Sequence, residues 1–104
     1  MLQRFHVPEE MAIRVDHEAL RSMVKSLFEK MGVPPADASI GADVVVTADL
    51  RGVDSHGVSN MVRSYLRGYS EGMINPRPEW TIERQSPATA TIDCDAGLGI
   101  IIGP

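Results

Sequence analysis

The chain has 104 residues, 43% of them hydrophobic and 5% aromatic, and its 10 basic and 14 acidic side chains give a formal net charge of −4. Scattered Lys and Arg under an acidic balance exclude the basic patch of a nucleic-acid-binding surface, and no apolar run reaches the ~18–20 residues of a membrane span. Cys94 is the one cysteine and has no partner for an internal disulfide, so composition predicts a soluble, cytoplasmic globular protein.

Residues 1–15 read as an N-terminal arm, irregular through Glu10 and then a short strand over Met11–Val15. Asp16 has the character of an N-cap, with Glu18 in the first turn of a helix behind it. Leu20, Met23, Val24, Leu27, Phe28 and Met31 follow at helical spacing and predict one apolar face. Gly32 and then Val33-Pro34-Pro35 end that helix. Pro34-Pro35-Ala36-Asp37 opens a second helix, since proline suits the first helical positions. Its apolar side is expected to hold Ile40, Val44, Thr47, Ala48 and Arg51, with Gly52 as its stop. A third helix is expected from Val58, Met61, Val62, Tyr65, Leu66 and Tyr69, closed by Gly72.

Asn75-Pro76-Arg77-Pro78 makes a stiff connector. Beyond it the period changes, and Trp80–Arg84 and Ala88–Asp93 predict two short strands joined by a turn at Gln85-Ser86-Pro87. Asp95-Ala96-Gly97 turns the chain into a glycine-spaced apolar end. That end carries three consecutive isoleucines before Gly103-Pro104, with nothing after them to bury the surface they present. The expectation is an N-terminal piece of a longer protein; the competing one is a small complete domain whose last strand is Leu98–Ile102. Gly97–Gly103 misses the register of a dinucleotide loop by one residue and reads as a turn into a buried segment. Cys94 reads as a small buried residue.

The chemistry concentrates in Arg51-Gly52-Val53-Asp54-Ser55-His56-Gly57-Val58, on the link between the second and third helices. Imidazole is the side chain whose unperturbed pKa allows proton exchange near neutrality, and flanking glycines let another molecule come close. His56 is therefore a candidate for proton transfer, against the plainer reading of a histidine bonded within its own turn. Asp54 or Ser55 is the expected N-cap of the third helix. Arg51, on the apolar side of the second helix, would need a carboxylate partner, and Asp54 is the nearest. A Ser55-His56-Asp54 triad is disfavoured because neighbours in one turn rarely align as nucleophile, base and orienter. No metal site is expected, because the histidines are far apart and no HxxxH or CxxC spacing occurs.

Residues 48–58, Ala-Asp-Leu-Arg-Gly-Val-Asp-Ser-His-Gly-Val, resemble the N-terminal signature of the type-2 malate/L-lactate dehydrogenases, a non-Rossmann family of NAD(P)H-dependent oxidoreductases. The resemblance extends to Tyr65, to Gly72-Met73-Ile74-Asn75-Pro76-Arg77-Pro78 and to Asp93–Gly99. It implies an α/β protein in which residues 16–78 are a three-helix segment carrying the catalytic loop, and residues 79–104 begin a cofactor and substrate domain. It implies a homodimer using NAD or NADP, held mostly by residues past 104, and acting on a 2-oxo or 2-hydroxy acid. It makes His56 the proton donor and acceptor, with Ser55, Asp54 and Arg51 in support. Many members carry arginine where this chain has Asn60, and an asparagine cannot form a bidentate charged pair with a substrate carboxylate. Arg63, one turn on, is the alternative anchor. The reading of another class is a small non-enzymatic helical module that dimerises through its isoleucine end.

Overall fold

A computed structural model describes residues 14–104. The strand expected over 11–15 falls mostly outside the described residues, and Arg14 and Val15 carry no regular structure. Helix α1 spans His17–Lys30, with the Asp16 carboxylate accepting the Ala19 N–H at 3.0 Å as the cap that the sequence predicts. Gly32, at a φ of 94°, donates its N–H to the Glu29 carbonyl, and Val33 donates to Phe28. The pair forms a left-handed helix stop that also drops Val33 into the core beside Phe28.

Helix α2, Pro35–Leu50, is where patterning misleads. Its buried residues are Ala38, Gly41, Ala42, Val45 and Val46, whereas the side expected to be apolar is half-buried and ends on exposed Arg51. The helix is apolar around most of its circumference, so hydrophobic spacing alone does not select the face. Small residues decide it, because they let neighbours approach closely. A Cβ on Gly41 would lie 3.1 Å from Phe28 Cε2 and 3.3 Å from Ile101 Cδ1. Met23 of α1, expected on the buried face, is 61% exposed.

After α2 come a 3₁₀ turn, Asp54–His56, a π-helical turn, Val58–Val62, and helix α3, Arg63–Ser70. The expected third helix is thus present, but its first turn is widened. Val24, Phe28, Val33, Val45, Val46, Val62, Tyr69 and Ile101 form one core. Phe28 and Tyr69 meet edge-on in it, centroids 6.1 Å apart at 87°.

The connector folds back on the turn that leaves the hairpin. Asn75 donates its N–H to the Ala96 carbonyl at 2.9 Å and its amide to Asp95, while the Asp95 carboxylate accepts the Glu79 N–H. Strands β1, Thr81–Gln85, and β2, Ala90–Asp93, pair antiparallel, with Ile82 opposite Ile92 and a bulge at Glu83. Every residue of both strands is exposed. That projecting hairpin accounts for a radius of gyration of 15.3 Å, against about 13 Å for a compact chain of this size. Leu98–Ile102 is no strand: Gly99–Ile102 forms a single helical turn, α4, which plugs Ile101 into the core against α2. Cys94 is half-buried.

Candidate active site

The octet occupies the corner between α2 and α3. Helix α2 stops as α1 does: Gly52, at a φ of 77°, donates to the Asp49 carbonyl, and Val53 donates to Ala48 at 2.8 Å. The chain then closes the 3₁₀ turn, with the His56 N–H on the Val53 carbonyl at 3.1 Å and the Gly57 N–H on Asp54 at 3.3 Å. Ser55 and His56 are thereby set on a short, tightly wound loop at the surface.

Within that loop Ser55 Oγ lies 2.9 Å from His56 Nδ1. A hydroxyl can donate to a bare ring nitrogen and accept from a protonated one. Ser55 can therefore stay bonded to the ring through both protonation states. His56 is exposed, and among the described residues no hydrogen bond occupies Nε2. A ring held at Nδ1 and open at Nε2 can pass a proton to a bound molecule and take it back.

The other expected members of the site are arranged differently. Asp54 contributes its backbone, because its carbonyl accepts the Asn60 amide at 2.7 Å. Its carboxylate makes no hydrogen bond to His56 among the described residues, and it lines a shallow cleft of about 240 Å³ with Val15, His17, Leu20, Val46, Asp49 and Leu50. Arg51 is exposed at the end of α2, and among the described residues no ion pair joins it to Asp54. The pairing expected of a buried arginine is absent because the residue is not buried. Asn60 directs one of its two amide N–H donors inward onto the loop. Arg63, the first residue of α3, is exposed.

Neither Asp54 nor Ser55 caps the following helix with its side chain. Asp49, from the last turn of α2, does so instead: its Oδ2 accepts the Val58 N–H at 3.0 Å. Asp49 lies inside the signature, but motif and spacing point to no role for it. The available signal was a carboxylate near a helix C-terminus, where the helix dipole disfavours it.

The turn at Gly97 is closely packed rather than open as a dinucleotide loop would be. At Gly97 a Cβ would meet Ile102 Cδ1 at 2.5 Å, Pro78 Cγ at 2.6 Å and the Cys94 carbonyl at 2.9 Å, so packed atoms fill the space that an anion would need. No three His, Cys, Asp or Glu side chains gather as a metal-binding set among those residues, and no helix there is long and apolar enough to cross a membrane.

A family model described as malate/L-lactate dehydrogenase matches residues 15–104. The chain is 43% identical over 103 residues to a malate dehydrogenase of Pyrococcus horikoshii, covering 99% of this chain and 28% of that protein. It is 45% identical over 83 residues to an L-sulfolactate dehydrogenase of Methanocaldococcus jannaschii, covering 80% of this chain and 24% of the relative. The solved Pyrococcus horikoshii malate dehydrogenase superposes with a TM-score of 0.84 over 94% of this chain and 28% of its own, at 43% identity. The sulfolactate dehydrogenase structure from Methanocaldococcus jannaschii gives 0.81 at 42% identity, over 88% of this chain and 26% of its own. The chain therefore spans about 28% of the length of the first of these relatives.

Proposed function

Because the chain belongs to the malate/L-lactate dehydrogenase family, we propose that it carries the proton-transfer site of an enzyme interconverting a 2-oxo acid and a 2-hydroxy acid with NAD(P)H. Reduction of the ketone places a proton on the carbonyl oxygen, and His56 Nε2 donates it; oxidation reverses the step, and the same nitrogen accepts the hydroxyl proton. The observation that carries this reading is the exposed imidazole bonded at Nδ1 to Ser55, at 2.9 Å, on a loop with two backbone hydrogen bonds of its own. The relatives' names, malate and sulfolactate, both denote 2-hydroxy acids with a second acidic group, which supports the substrate class.

The cofactor is assigned mostly to residues past 104, and the part assigned to this chain is the proton, the orientation of the ring and the approach of the substrate. Asn60 donates to the Asp54 carbonyl, and the substrate carboxylate is assigned to Arg63. A homodimer with the cofactor held by other residues belongs to the same proposal, as does the division into a helical segment over 16–78 and an α/β unit from 79. The family match does not favour a non-enzymatic helical module.

The test is His56→Gln in the full-length protein. Loss of a general acid–base group costs about 10²–10⁴-fold in turnover, and cofactor binding should stay near the wild-type value. A variant that keeps its turnover would sink the assignment.

A further inference from the structure

We infer that Asp49 is the positioning residue for His56, and that Gly57 is glycine because the Asp49 carboxylate fills the space its side chain would need. The inference rests on His56 being the proton-transferring group.

Asp49 stands in the last turn of α2, where the negative end of the helix dipole repels a carboxylate. The same carboxylate lies at the start of the next helical segment, where free N–H groups attract it. It is the wrong residue for the helix that carries it and the right one for the helix that follows. Its Oδ2 takes the Val58 N–H at 3.0 Å. Its Oδ1 lies where a Cβ on Gly57 would be, so that the two would overlap. Gly57 is buried and has φ −93° and ψ −164°, extended backbone open to any residue. Space, not conformation, therefore excludes a side chain there.

The loop bearing Ser55 and His56 is consequently pinned on both sides to the last turn of α2. Val53 is bonded to the Ala48 carbonyl on one side, and Val58 to the Asp49 carboxylate on the other. The first tie is backbone and comes with the helix stop. The second exists through one side chain, and without it the loop's far end is held by Asn60 and the helical turn alone. Misplacement of a reacting group by an ångström is enough to cost turnover heavily.

In the full-length protein, Asp49→Ala should lower kcat by about 10- to 100-fold with little change in KM. Asp49→Asn keeps an acceptor oxygen for Val58 and should restore most of that loss. On a His56→Gln background, Asp49→Ala should cost nothing further, because residues acting as one unit are not additive. Unchanged kcat in Asp49→Ala, an Asn variant as slow as the Ala one, or a loss repeated in full without His56 would each overturn the inference. Full turnover in His56→Gln alone would instead overturn the assignment beneath it. If Asp49→Ala does not fold, Gly57→Ala evicts the same carboxylate and takes its place in both backgrounds.

Discussion

Gly57→Ala gives a stability measurement whose sign depends on a second residue. Alanine fits the backbone at φ −93° and ψ −164°, so no conformational strain enters. Replacing glycine by alanine at such a site ordinarily stabilises by about 0.4–1 kcal/mol through the unfolded chain. Here the new methyl overlaps the Asp49 carboxylate and must expel it. The Val58 N–H then loses a charged acceptor, a bond worth about 1.5–3 kcal/mol. The sum is a net destabilisation of about 0.5–2.6 kcal/mol, the difference of those two ranges. With Asp49→Ala already in place there is nothing to expel, and the same Gly57→Ala change should stabilise by about 0.4–1 kcal/mol. Urea unfolding of the four proteins of this cycle, followed by far-UV circular dichroism, reads the coupling directly. Equal cost in both backgrounds would refute the steric account and with it the reason for a glycine at this position.

Three further measurements bear on the core and the site. Phe28 is fully buried against Tyr69 and Gly41, and Phe28→Ala should cost about 3–5 kcal/mol by urea unfolding; a loss below 1 kcal/mol would mean that the helices do not pack as described. Burial, with the Asp37 charge second, raises the Tyr69 hydroxyl from 10.0 to about 12. The folded state holds that proton more tightly than the unfolded one, so the associated stability is complete below pH 10 and is lost as pH rises towards 12. Tyr69→Phe should lack this alkaline decline, and an identical decline in both proteins would contradict it. Arg63→Gln should raise KM for the 2-oxo acid with kcat little changed, the mark of lost uniform binding; an unaltered KM would move the carboxylate anchor elsewhere.

The parts of this fold that sequence made legible are those decided within a turn or two of chain. Asp16 reads as a cap because one side-chain oxygen and one N–H three residues on suffice to make it. Gly32 and Gly52 read as stops because the left-handed turn is costly for any residue with a Cβ. His56 is proposed as the proton-transferring group on the same local ground, since proton exchange near neutrality is intrinsic to imidazole. What stayed hidden depends on neighbours distant in sequence. The face of α2 is chosen by where Phe28 and Ile101 arrive, and a helix apolar on most sides carries no local record of that choice. Leu98–Ile102 holds the β-branched residues of a strand, yet among the described residues it winds into a helical turn that buries Ile101 against α2.

Asp49 lay between these cases. Its partner, Val58, is only nine residues away, yet the contact crosses a helix stop and a 3₁₀ turn, so no periodicity rule links the two. The trace it does leave in sequence is a pair of local misfits: an aspartate at the end of a helix that should repel it, and a buried glycine whose backbone needs no glycine. Each misfit is unremarkable by itself. Together they are what one carboxylate bridging two helix ends must produce, because the bridge requires the charge on one side of the corner and the missing side chain on the other.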